Sequence, residues 1–198
     1  RDSIIMGNGT IFTANPGTIL KFNEHTSLKI NGQLNAVGTN DKPIVFTSVH
    51  DDSYGGDFNL NNLDTMPENG DWRGIQLGKQ ASANLLQHTI LRYGGGDYDA
   101  NIYAFNTDLT IKDSLVANSG DRGIHSNAST VTLENTEIFG NSGYGIYAQQ
   151  TGQVNITGGR IYANIIGGIH YADDVAGIIE DVEIFANLEN GLQNTGSQ

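Results

Sequence analysis

The sequence predicts an all-β solenoid, a single-stranded parallel β-helix whose coils take about 22–23 residues each. Three observations predict it. Asparagine recurs at 118, 141, 164 and 187, each 23 positions after the last. A glycine followed by an aliphatic residue recurs after it, as Gly123-Ile124, Gly145-Ile146, Gly168-Ile169 and Gly191-Leu192. Short segments alternate with period two, and none sustains a helical period, so the repeat is built from strands.

Taken in order, residues 1–47 form the N-terminal coils. Strands are expected at 18–22, 27–30, 33–36 and 44–47, punctuated by Pro16-Gly17, Asn31-Gly32 and Gly38. Residues 48–70 are rich in Asp, Asn and Gly, lack alternation and exceed a coil turn, so they read as a protruding loop. Residues 71–198 are the regular coils. Leu115-Val116-Ala117-Asn118 aligns without gaps on Ile138-Phe139-Gly140-Asn141, Ile161-Tyr162-Ala163-Asn164 and Ile184-Phe185-Ala186-Asn187.

Stacking places like residues in columns. Leu133, Ile156 and Ile179 form a core column, and Phe139, Tyr162 and Phe185 an aromatic one. Glu137, Arg160 and Glu183 make a solvated ion ladder. The asparagines form a scaffold ladder, because Asn tolerates left-handed turns and its amide bonds the stacked Asn and nearby backbone.

Nothing in the composition divides the 198 residues, which read as one domain. Ten Lys and Arg against 22 Asp and Glu give a net charge of −12. That balance argues against nucleic acid, whose binding draws on Lys/Arg neutralising phosphates, and no apolar run is long enough for membrane insertion. It suits calcium, cationic partners or neutral carbohydrate. The absence of Cys removes disulfides and thiolate metal sites, and the five histidines have no zinc spacing.

The segments Pro16-Gly17-Thr18-Ile19-Leu20-Lys21-Phe22, Leu28-Lys29-Ile30-Asn31-Gly32-Gln33-Leu34, Pro43-Ile44-Val45-Phe46-Thr47-Ser48 and Gly70-Asp71-Trp72-Arg73-Gly74-Ile75 resemble secreted bacterial right-handed parallel β-helix repeat proteins. With the later coils, the resemblance spans nearly the whole chain. It implies a right-handed, pectate-lyase-like fold, an extracellular or cell-surface setting, and a module of a larger secreted protein. It does not fix an activity, since such helices serve as lyases, hydrolases, adhesins and passive stalks.

Candidate chemistry lies beside the Gly-aliphatic strands. Gln76, Tyr103, His125, Tyr147, His170 and Gln193 each follow the aliphatic residue, so alternation turns them outward into one stripe. Tyr103, His125, Tyr144, Tyr147 and His170 are the carbohydrate-binding candidates, since aromatic faces stack on sugar rings and polar tips bond hydroxyls. The same rings can also stabilise the strands by packing on one another.

The resemblance includes the pectin-hydrolysing polygalacturonases, and there the match is partial. Asp121-Arg122-Gly123-Ile124 has one acid where that family has two adjacent acids, Tyr144 stands in the place of its histidine and His170 in that of its arginine. Inverting hydrolysis needs two carboxyls about 6.5–9.5 Å apart, for which Asp99 and Asp121 on neighbouring coils are the candidates. A lyase needs a base, and Arg122 is the basic residue beside Asp97, Asp99 and Asp121.

In the loop, Asp57, Asn59, Asn61 and Asp64 place oxygens at spacings that suit calcium, with Glu68, Asp51 and Asp52 nearby. Calcium there would order the loop. The preferred expectation is a non-catalytic extracellular stalk or platform that contacts polysaccharide or a surface partner. A polysaccharide lyase or glycoside hydrolase acting near Asp121 is the first alternative, and a subunit that self-associates end to end is the second.

Overall fold

Alternation decides which side chains enter the core. In the strand Thr130–Glu134, Val131 and Leu133 are buried while Thr130, Thr132 and Glu134 stay partly exposed. The same pattern recurs one coil earlier in Asp108–Lys112 and one coil later in Gln153–Thr157. A strand this short buries only two or three apolar side chains, so it is stable only when the coils above and below continue its columns.

A computed structural model describes residues 3–60, 64–97 and 100–196, and every regular element in it is a strand. Each full coil contributes one strand to each of three parallel sheets, of eight, seven and seven strands. The coil Ala100–Phe105, Asp108–Lys112, Leu115–Ala117 is representative. Its core residues sit directly on those of the next coil: Ile102 on Ile124, Ile111 on Leu133 and Val116 on Ile138. The core runs along the axis as these columns, and it includes all four apolar strands read from the N-terminal third, at Ile19–Phe22, Leu28–Ile30, Gln33–Val37 and Ile44–Ser48. Two further strands, Ile4–Met6 and Ile11–Ala14, open the stack.

The corners explain how a coil closes in so few residues. In the regular coils most strands are followed directly by a left-handed residue: Asn106, Ala128 and Gln150 after the first sheet, Asp113, Asn135 and Gly158 after the second, Asn118, Gly140, Ala163 and Ala186 after the third. A single residue with φ near +50° to +65° reverses the pleat and turns the chain without a longer loop.

These corners correct the asparagine ladder. Asn118 belongs to the left-handed column, in line with Gly140 and Ala163, because the register pairs Val116 with Ile138 and Ala117 with Phe139. Val116 is buried and Leu115 is not, so core burial sets a 22-residue step here that the 23-residue spacing of Asn118 and Asn141 conceals. The ladder itself runs through Asn141, Asn164 and Asn187, with Asn101 reaching its upper end from the first sheet. None of these ladder residues has a left-handed φ, so the turn preference of Asn is used at Asn118, Asn106 and Asn135 and not in the ladder.

The other columns form as read. Phe139, Tyr162 and Phe185 stack at 4.9 and 5.1 Å with rings within 12° of parallel, and Arg160 pairs with Glu137 on the partly exposed outer face.

The segment between Ile44–Ser48 and Ile75–Leu77 is tied to the coils at both ends. Near its start, Lys21 Nζ donates to the Gly56 carbonyl at 2.7 Å. Near its end, Trp72 is wholly buried, stacks on Phe22 at 4.1 Å and donates through Nε1 to the Arg92 carbonyl. Asn69 Nδ2 donates to the Gly140 carbonyl and to Ser142 Oγ, in the corner three coils further along. Gly70, Gly96 and Gly120 meet there backbone to backbone; a Cβ on Gly96 would lie 1.9 Å from the Gly70 oxygen. Phe58, Leu60 and Met66 stay exposed at the outer part of the segment.

Candidate functional site

The outward stripe on the first sheet is built by register. Gln76 pairs with Tyr103, Tyr103 with His125, His125 with Tyr147, Tyr147 with His170 and His170 with Gln193. Lys29 stands above Gln76 in the same column. On the later strands glycine precedes the aliphatic residue because the asparagine ladder lies behind it: a Cβ on Gly123 would lie 2.8 Å from Asn141 Nδ2, and one on Gly145 2.9 Å from Asn164 Nδ2.

The rings pack against one another along the axis. Tyr103 and His125 have centroids 4.8 Å apart, His125 and Tyr147 5.2 Å in edge contact, and Tyr147 and His170 5.1 Å in edge contact. Tyr144 leans in from the start of its strand, 4.9 Å from His170, and donates its hydroxyl to Gln193 Oε1 at 3.1 Å. His125 is only 4% exposed, so it points away from the core and is nevertheless covered by its neighbours. Tyr103, Tyr144, Tyr147, His170 and the flanking amides Gln76, Gln149 and Gln193 are partly exposed.

Residues two positions on share this face, which alternation makes readable although the aliphatic-plus-one rule passes over them. Asn127 Nδ2 donates to the Tyr103 hydroxyl at 3.2 Å, Tyr147 donates to Gln149 Oε1 at 3.3 Å, and Phe105 stacks beside Tyr103. His170 Nε2 lies 3.0 Å from Thr195 Oγ1. The Nε2 of Gln76 and the Nδ1 of His170 are buried without a hydrogen-bond partner.

Asp121 and Arg122 lie at the edge of the stripe and pair with each other at 3.1 Å. The Arg122 guanidinium also lies 4.3 Å over the Tyr147 ring, occupying one face of it. Burial, and then the Arg122 charge, holds the His170 imidazole below its usual range. Burial, then Glu189 and Tyr147, raises the Tyr144 phenol. Asp97 faces the other way, to His25 Nδ1 at 2.9 Å and Arg73 Nε at 3.2 Å, and these two bonds hold its carboxyl below the usual carboxylate range. Asp99 lies outside the described residues.

Of the calcium candidates, Asn61 lies outside the described residues and Asp64 is exposed. Asn59 donates to Thr65 Oγ1 at 3.3 Å, and its Oδ1 is buried without a hydrogen-bond partner, the kind of oxygen a hard cation takes. Among the described residues no three His, Cys, Asp or Glu side chains converge as a metal group, and no helix is long and apolar enough to cross a membrane.

Comparison with known proteins gives one match: a family model described as a right-handed β-helix region covers residues 58–198. No curated protein and no solved structure matches the chain. The matched span takes in the stripe, the asparagine ladder and most of the corner columns. With three parallel sheets wound in coils and most of its length matched, the chain belongs to the right-handed β-helix family.

Proposed function

We propose that this chain is a non-catalytic module that works outside the cell or at its surface, as a stiff platform that contacts polysaccharide along the Tyr/His/Gln stripe. The observation that carries the reading is the unbroken register column from Gln76 through Tyr103, His125, Tyr147 and His170 to Gln193. It repeats polar and aromatic groups at about 4.8 Å, so a chain laid along the axis meets the same chemistry at every coil. Because Arg122 covers one face of Tyr147, contact there would be through ring edges and hydroxyls. Calcium on Asp57, Asn59, Asn61 and Asp64 would order the loop and leave the stripe as the contact surface.

The competing reading is a polysaccharide lyase or glycoside hydrolase centred on Asp121. The ion pair between Asp121 and Arg122 weighs against either residue acting as a free base. A glycan-array screen at about 2 mM calcium, in the range of weak extracellular sites, and again with chelator separates the readings. Binding without turnover, weakened by Tyr147→Ala, supports the platform. Turnover abolished by Asp121→Ala supports the enzyme, and no binding in either condition rejects the platform as a glycan-contact module.

A further inference from the structure

A second site lies away from the stripe, at the root of the long segment. A cavity of about 240 Å³ opens there between Asp52, Ser53, Met66, Pro67, Arg92 and Tyr93. Both carboxylate oxygens of Asp52 are sealed from solvent, and neither has a hydrogen-bond partner. Buried carboxylate oxygens are ordinarily satisfied, so an orphaned pair at a cavity wall marks the place of a missing donor.

The neighbouring carboxylates have contacts of their own. Asp51 accepts from Thr47 Oγ1 at 2.5 Å and lies 3.7 Å from Arg92 Nε. The Arg92 guanidinium rests on the Tyr93 ring at 4.4 Å. Asp71 accepts from Ser48 Oγ and faces His50. Asp52 has no such contact, the carboxylates here outnumber the one guanidinium, and Arg92 Nε in the same wall is likewise buried without a hydrogen-bond partner. Met66, Pro67 and Tyr93 supply apolar walls, and an adjoining groove of about 360 Å³ carries Glu24, Asp64 and Glu68.

We propose that this cavity takes a monovalent organic cation with N–H donors on an apolar stem, the chemistry of a lysine or arginine side chain presented by a partner protein. The N–H donors would meet the two Asp52 oxygens, the stem would lie against Met66 and Pro67, and the acidic groove would draw the charge in. A divalent metal is a poorer fit, since it asks for six or more oxygens and no such acidic group converges among the described residues.

The test is an NMR titration of the labelled chain with butylammonium, butylguanidinium, neutral butanol and calcium in parallel. The expected result is saturable shifts at Asp52, Ser53, Met66 and Tyr93 with one or both cations, not with butanol, and at least tenfold weaker in Asp52→Asn. The stronger cation tells whether a lysine or an arginine is preferred. Equal shifts with butanol, the same shifts from calcium alone, or no response to either cation would overturn the assignment. The butanol arm keeps the proposal falsifiable even if Asp52→Asn does not fold.

Discussion

Asn141 donates through Nδ2 to Oδ1 of Asn164 at 2.8 Å, in a corner that leaves both side chains out of solvent. Asn164 Oδ1 also accepts from the Asn141 backbone N–H, and its Nδ2 donates to Asn187 Oδ1 and the Ile138 carbonyl. One amide thus ties three coils. Removing it strands several buried groups at once, which costs more than the bonds themselves contribute.

Asn164→Ala is therefore expected to destabilise the fold by about 3 kcal/mol in urea titrations. Asn118→Gly, at a left-handed corner, is expected to be neutral or to stabilise by about 0.5 kcal/mol. Equal losses at the two positions would refute the register that separates them.

Ala163 is exposed and held at φ 54°, where a β-carbon is strained. Its counterpart one coil earlier is Gly140, at φ 65°. Ala163→Gly should raise stability by about 0.5–1 kcal/mol, the relief of left-handed strain exceeding the added freedom of the unfolded chain. A lowered melting temperature would contradict this.

Gly96→Ala places a methyl 1.9 Å from the Gly70 oxygen, and the obstacle is backbone that cannot rotate away. The expected cost is about 2–3 kcal/mol, with faster amide exchange at Asp71 and Trp72. Unchanged exchange there would mean that the glycine contact does not hold the segment.

The folded His170 binds its proton less readily than the unfolded chain, whose imidazole titrates near 6.5. Its contribution to stability is intact above pH 6.5 and declines as the pH falls from there towards the lower folded value. The urea midpoint should drop between about pH 7.5 and 5.5, and His170→Gln should flatten that slope. A slope unaffected by the substitution would assign the pH dependence to other groups.

The repeat was legible because core burial imposes identity on columns. Ile102, Ile124, Ile146 and Ile169 must stack, and the sequence cannot vary them freely without opening a cavity. The stripe was legible for the same reason, being offset from that column by one residue. Asn118 was misleading since its residue type suits both a corner and a ladder, and only the burial of Val116 over Leu115 decides between them. The strands Ile4–Met6 and Ile11–Ala14 were missed because they are short and a Gly-Asn-Gly turn separates them, with little alternation on either side. The covering of His125 and the cavity at Asp52 depend on contacts between residues far apart in sequence, which periodicity does not encode.

In this molecule the strands run around the axis while the hydrogen bonds between coils run along it, so a pull from the two ends loads those bonds head-on and peels coils singly. The segment ending at Gly70 runs along the axis instead, fastened to Gly96, Gly120, Gly140 and Ser142. Such a tie-rod adds bonds that bridge several coils at once, so under tension these coils are expected to part together.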